Sequence, residues 1–268
     1  MRESDPFNLN LCYNRCGNDN VFESEGLTMK EYKLVFEETF DVDSDLNKNN
    51  WNHEVGTKWA NNESQCYVDD LEHCFIKDGK LVLKATIHEN EPCKYRSARV
   101  NTYGKKEFTY GKFVFRAKMP KGKGAWPALW FMGNISTNRV GWPLCGEIDL
   151  LEFAGNRPGK VTCAIHTATY NHKIKTDKGT TYKLPDASEQ FHDYILIWTK
   201  EHLQFFVDDV KIFQVDKEKG DTVKEWPFDQ PYYIIMNLAV GGWYGGPIED
   251  KDLPFQLEID SIKVYQQE

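Results

Sequence analysis

The chain has 268 residues, of which 40% are apolar and 28% charged, with a formal net charge of −8. Those numbers give room for one large all-β domain or two small ones under an ordinary soluble surface, and the negative balance argues against nucleic acid as a partner. No run of eighteen apolar residues offers a transmembrane helix, so no membrane partner is expected either.

The opening MRESDPFNLNLCYNRCGNDN lacks the apolar centre of a signal peptide, and residues 1–28 are polar and Asn-rich. They read as an N-terminal extension of a single domain spanning 29–268. Seven cysteines are an odd set, so not all pair internally. Cys12 and Cys16 have a spacing a zinc site uses, but no second pair with ligand spacing follows, which favours a reduced chain or a few disulfides. Aromatic residues reach 14%, with eight Trp and thirteen Tyr. Their flat faces suit sugar rings, bases or quaternary ammonium groups when exposed.

From residue 33 onward, strand signals recur. KLVLKAT (80–86), GKFVFRAKM (111–119), VTCAIHTAT (161–169), YILIWT (194–199), YYIIMNLAV (232–240) and LEIDSIKVYQ (257–266) are short β-rich runs bounded by turn residues. In GKFVFRAKM, Phe113, Phe115 and Ala117 alternate with Lys112, Val114, Arg116 and Lys118, the period of a half-buried strand. Trp126 and Trp130 in WPALW stand four apart, the spacing of one helix face or of two ends of a loop. LQFFVDDVKIFQV (203–215) reads as two runs around an Asp208-Asp209 turn. Nothing long carries a helical period. The pattern predicts antiparallel sheets in a two-sheet sandwich.

GWPLCGEIDLLEFAG (141–155) breaks the apolar logic, because Glu147, Asp149 and Glu152 interrupt a run of core residues. In a regular strand Glu147 and Asp149 share a face and Glu152 lies on the other. An extra residue at Leu150-Leu151, a β-bulge, swings Glu152 onto the acidic face and leaves Ile148, Leu150 and Phe153 together on the other. The outer two backbones then lie about 13 Å apart. Side chains leaning toward one ligand would close that to the ~5–5.5 Å carboxyl separation of a retaining glycosidase. Two plainer readings stand beside this one: acids on a solvated sheet face, or a calcium-binding group, although EF-hand spacing is missing.

GEIDLLE resembles the bulged E-x-D-x-x-E signature of glycoside hydrolase family 16, and GWPLCGEIDLLE is similar to its laminarinase branch. WANNESQCYVDD (59–70), SARVNT (97–102), YGKFVFRAKMPKGKGAWPALWFMG (110–133), AIHT (164–167) and NLAVGGWYGG (237–246) match in the same order, so the resemblance covers nearly the whole chain from about residue 30.

The resemblance implies a β-jelly roll with a glycan cleft across one sheet. It makes Glu147 the nucleophile, Asp149 the residue that tunes it and Glu152 the general acid/base. It also implies sugar contacts from Asn61, Arg99, Trp126, Trp130, Trp142 and His166, while His172 in TYNHK is left out of that set. Catalysis needs no cofactor. A structural calcium on the side away from catalysis would use Gly79 and Asp260, with Thr39 standing where an acidic residue is common. The implied activity is endo-hydrolysis of β-1,3-glucan, with mixed β-1,3/1,4-glucan second. The bulge argues against the xyloglucan transglycosylase branch, which resembles the unbulged form. The competing function is a non-catalytic β-glucan recognition module. A monomer acting outside the cell is expected from the substrate.

Overall fold

The computed structural model describes residues 31–42, 45–89, 92–134 and 140–267, so the 1–28 extension, with Cys12 and Cys16, lies outside the described residues. Two sheets face each other. Strands are numbered here from the N-terminus. One sheet runs in the order β16 (Val210–Asp216), β15 (His202–Val207), β14 (His192–Trp198), β9 (Gly111–Lys118), β18 (Phe255–Gln267), β5 (Lys80–Ile87), β6 (Tyr95–Ser97), β3 (Gln65–Tyr67). β1 (Tyr32–Glu38) also pairs with β18, and β4 (Cys74–Lys77) with β5. The second sheet runs β13 (Lys178–Lys183), β12 (Lys160–His166), β11 (Glu147–Phe153), β10 (Ala125–Gly133), β17 (Tyr232–Val240), β7 (Arg99–Asn101), β2 (Asn52–His53), with β8 (Glu107–Phe108) beside β17. Among the described residues, pairing is antiparallel apart from the short parallel pair β3–β6. This is the expected jelly-roll sandwich.

The strand alternation read from the sequence decides which side chains meet between the sheets. Phe113, Phe115 and Ala117 of β9 are fully buried while Arg116 is exposed. Phe113 and Phe115 place their rings 5.0 and 5.9 Å from Phe131 of β10 in edge-on geometry, so the core is stitched by aromatic pairs across the two layers. Asp208 adopts φ +52 and closes the β15–β16 hairpin, as its place in the sequence predicts.

The WPALW segment corrects an expectation. It is neither a helix nor a pair of loop ends but the interior of β10, where positions four apart also share a face. Its neighbour β17 alternates likewise. Ile234, Met236 and Leu238 enter the core, and Ile235, Asn237 and Ala239 turn the other way, opposite Trp130, Ala128 and Trp126. The outer face of the second sheet is therefore a polar and aromatic surface on a rigid frame. A Cys66–Cys93 disulfide ties β3 to the segment before β6, and Cys74, Cys145 and Cys163 are free and buried.

Candidate active site

β11 pairs with a neighbour on each side, and the register shifts in both. Toward β12, Asp149 opposes Ala164 and Glu152 opposes Thr162, so three steps on β11 match two on its partner. Toward β10, Leu151 opposes Leu129 and Asp149 opposes Trp130, which leaves Leu150 without an opposite number. This is the bulge. Ile148, Leu150, Leu151 and Phe153 all join the core, and Glu152 is released to the outer face beside Asp149 and Glu147. Gly146 sets the entry to the strand at φ +79, and a Cβ there would run into the Tyr232 hydroxyl and the Pro227 ring.

The acids sit in one shielded group. Glu147 opposes His166 across β11–β12, and Glu147, Asp149 and His166 each offer a ligand atom within 4.8 Å of the others. His166 Nε2 lies 3.2 Å from Asp149 Oδ2 and 3.9 Å from Glu147 Oε1. The Asp149 contact is off the hydrogen-bond line, so Oδ2 has no hydrogen-bond donor among the described residues although Asp149 is only 4% exposed. The Trp126 indole N–H donates to Glu152 Oε1 at 3.0 Å.

Burial is the main cause that pushes all three carboxyls above the usual range, and like charge adds to it for Glu147 and Asp149. Asp149 raises Glu147, and Glu152 raises Asp149. His166 and the Trp142 indole pull Glu147 back, and Trp126 pulls Glu152 back. A group held this way takes up protons at pH values where free carboxyls are charged.

The expected sugar contacts converge on this face. Trp130 Nε1–H donates to Asn237 Oδ1 at 2.8 Å, Asn237 Nδ2 donates to the Tyr67 hydroxyl at 3.1 Å, and that hydroxyl donates to Glu63 Oε2 at 3.4 Å. Arg99 holds its guanidinium 4.9 Å from the Trp130 ring and 5.2 Å from Trp59, with Nε 3.0 Å from Glu54 Oε1. Asn61, at φ +62, accepts the Trp243 N–H on its backbone oxygen at 3.0 Å. Trp142 stands 6.2 Å from His166.

Gly79 and Asp260 are elsewhere, in the other sheet. Strand β18 pairs with β5 up to Ile259 and with β1 from Ile262, so Asp260 sits where it changes partners, next to the Asp78-Gly79 turn that opens β5. The adjacency suits a shared ion, but the donor set is thin. Asp260 brings one half-exposed carboxylate, 3.8 Å from Arg116 Nε, whereas calcium takes six to eight oxygens. The fit is incomplete, and no step of the chemistry runs through it.

Several further residues share this face, beyond those the sequence singles out. Glu54, Trp59, Glu63, Tyr67 and Asn237 form the polar network. Asn237 was findable as the one amide inside a nine-residue apolar strand; the others needed the topology. His172 belongs with the site after all: its ring lies 5.1 Å from His166, 5.2 Å from Trp142 and 5.9 Å from Trp243. Trp243 also lies 5.7 Å from Trp126 and is 57% exposed. Gly242 permits that approach at φ +72, because a Cβ there would sit 2.9 Å from both the Trp126 ring and the Asn61 oxygen.

Known proteins agree with this geometry. A family model described as "Glycosyl hydrolases family 16" matches residues 70–261. A β-glucanase of Rhodothermus marinus is 37% identical over 243 residues, covering 87% of this chain and 85% of its own length. The crystal structure of the laminarinase from Rhodothermus marinus superposes with a TM-score of 0.86 at 36% identity, over 89% of this chain and 99% of that one. SCLam, a non-specific endo-β-1,3(4)-glucanase, gives 0.84 at 32% identity over 93% and 95%. Some relatives are longer: the chain spans 38% of the glucan endo-1,3-β-glucosidase A1 of Niallia circulans, to which it is 30% identical over 88% of its own length. A β-1,3-glucan-binding protein of Penaeus monodon is 28% identical, covering 79% of this chain and 75% of its own. With that breadth of match, and with three acids gathered by a bulge on the outer sheet, the chain belongs to glycosyl hydrolases family 16 and is a glycoside hydrolase.

Proposed function

We propose that this hydrolase is an endo-acting, retaining β-1,3-glucanase that also cuts mixed β-1,3/1,4-glucan. The bulge at Leu150 carries the reading, because it alone puts two glutamates on one face with an aspartate between them. The names of the similar enzymes support the linkage.

The proton balance assigns the roles. Trp142 steadies the charged form of Glu147, and Trp126 does the same for Glu152, whereas Asp149 Oδ2 has no hydrogen-bond donor. Burial raises Glu147 and Asp149 together, and Glu147 as hydrogen-bond partner pulls Asp149 back, so the pair holds a proton that must rest on Asp149 when Glu147 attacks. In that form Glu147 is charged and attacks the anomeric carbon. Glu152 gives its proton to the departing glycosidic oxygen, and the bond to the leaving sugar breaks as the glycosyl–Glu147 ester forms. Glu152, now charged, takes a proton from water, whose oxygen attacks the same carbon from the other face and frees Glu147 with net retention. Both limbs of the pH–rate profile should lie above the free carboxylate range, since both glutamates are raised.

Reducing-end release from laminarin, lichenan and carboxymethylcellulose, side by side, tests the substrate. Laminarin should be cut fastest into a ladder of oligosaccharides. Glu147→Gln and Glu152→Gln should each lower kcat by about 10³-fold or more. Unchanged turnover in either overturns the roles. The β-1,3-glucan-binding relative favours a second reading, a recognition module; retention of all three acids argues against it. Laminarin binding by the wild type without new reducing ends would establish that module.

We also place the enzyme outside the cell as a monomer. Polymeric glucan is met there, and the Cys66–Cys93 bridge suits an oxidising compartment. Gly79 and Asp260 lie in the other sheet and offer too few oxygens for calcium, so chelation should leave turnover at 25 °C unchanged. Loss of turnover on chelation would instead point to a metal on Glu147, Asp149 and His166.

A further inference from the structure

The segment that leaves β11, residues 154–159, meets the turn Gly242–Gly245 that follows β17. Asn156 Nδ2 donates to the backbone oxygen of Gly245 and, at 2.9 Å, to that of Pro247. Arg157 sets its guanidinium 4.2 Å from the Tyr244 ring and donates to the Tyr244 backbone oxygen at 3.5 Å. Glycines stand on both sides of Trp243 and Tyr244, and Gly241, Gly242 and Gly246 have positive φ. The turn's own backbone therefore has little preference, and its contacts decide where it sits.

Tyr244 carries that grip toward the general acid by two routes. Its ring lies 5.3 Å from Trp126, whose indole N–H donates to Glu152. Its hydroxyl lies 2.6 Å from Thr162 Oγ1, and Thr162, opposite Glu152 on β12, donates to the Glu152 backbone oxygen at 3.4 Å. Burial, with the nearby Glu152 charge, pushes the phenol up to about 12, so Tyr244 is neutral wherever the acids work.

We propose that Asn156 and Tyr244 are positioning residues for the general acid: they hold the turn against Trp126, and through it the indole N–H on Glu152. This rests on the glucanase reading and extends it to residues that act through Trp126. Glu152 alternates between a protonated and a charged form, and the N–H favours the charged one. A hydrogen bond weakens steeply once its donor swings off line, so a loose indole leaves the carboxylate short of its partner after proton transfer. A turn pinned to the end of β11 keeps the donor aligned through both steps.

Asn156→Ala and Tyr244→Leu test this on laminarin. The first removes both bonds to the turn, the second removes the ring beside Trp126, and neither changes a charge. The charged groups that face Glu152 all stay in place: Asp149 on its own strand, His166 on β12, Glu63 and Arg157. Each variant should lower kcat about fivefold with KM within about twofold, and should move the alkaline limb of kcat/KM up, the direction expected when the Trp126 donor is lost. A merely structural role would lower Tm and leave that limb in place. Adding Asn156→Ala to Trp126→Phe should cost less than about twofold more, because the donor it acts through is already gone. Losses that multiply in full in the double variant, or an alkaline limb unmoved in both single variants, would overturn the positioning role while leaving the glucanase intact. A wild type inactive on laminarin would sink the glucanase reading and the positioning role with it.

Discussion

Trp126 joins two tasks in one side chain: its ring packs against Trp243 and Tyr244, and its N–H holds Glu152. That N–H favours the charged carboxylate and so opposes the burial that keeps Glu152 protonated. Trp126→Phe keeps most of the packing and removes the donor. Glu152 should then hold its proton to higher pH, and the alkaline limb of kcat/KM should move up. The rate should fall about tenfold, because the Glu152 carboxylate left after proton transfer has lost its partner. A pH–rate profile on laminarin checks both effects; an alkaline limb that stays put would mean Glu152 is not the acid. Tyr244 supports the same corner from outside. Its hydroxyl lies 2.6 Å from Thr162 Oγ1, and the Arg157 guanidinium covers its ring at 4.2 Å.

At the scale of the element, the β11 bulge separates stability from activity. Leu150→Ala keeps the extra residue and should cost about 2–5 kcal/mol from the core with kcat preserved. Deleting Leu150 restores strict alternation with Glu147, Asp149 and Glu152 still on the outer face and Ile148, Leu151 and Phe153 on the inner one, so it removes a core side chain and the extra length but leaves the acidic face. The folded fraction of both variants should therefore keep turnover while melting lower, and urea melts with rate assays on each measure the two effects. The bulge was legible in the sequence because three acids and four core residues cannot share two faces of a regular strand. The strand from Phe113 to Ala117 was legible for the same reason of period. Trp126 and Trp130 were not, since a spacing of four fits a helix face as well as a strand face, and only pairing with β17 decides. The chain from Trp130 through Asn237 and Tyr67 to Glu63 was invisible for another reason: Asn237 and Tyr67 lie 170 positions apart and meet only through sheet order. Cysteine pairing is similarly unreadable without coordinates. The Cys66–Cys93 loop spans 27 residues, so its closure is worth about 3–4 kcal/mol in the chain-entropy account. A Cys66→Ser, Cys93→Ser double variant should melt roughly 10 °C lower.

Across the whole molecule, two sets of carboxylates pull stability in opposite directions with pH. On the surface, Glu225 is lowered to about 2 by bonds from Thr222 and Thr169, and Asp250 is lowered by Lys94 and Tyr95. Their contribution is present above the unfolded carboxylate range and disappears as pH falls through their folded values. The active-site acids do the reverse. Raised by burial and by one another, they cost nothing while protonated, and the cost grows as pH climbs from the unfolded range through their folded values. A Glu147→Gln variant removes one of those charges and nothing from the surface set. Its Tm should equal that of the wild type below about pH 4, where the carboxyl is protonated folded or unfolded. The difference should then open in favour of the variant, reaching a few degrees by about pH 7, at roughly 2–4 °C per kcal/mol for a domain of this size. Thermal melts of both proteins from pH 4 to pH 8 measure that curve directly. A variant that melts below the wild type at neutral pH would mean that His166 and Trp142 more than offset the desolvation of Glu147. The carboxyl would then be charged in the resting enzyme without help from the Asp149 proton, and the proton balance that assigns the three acids their roles would have to be redrawn.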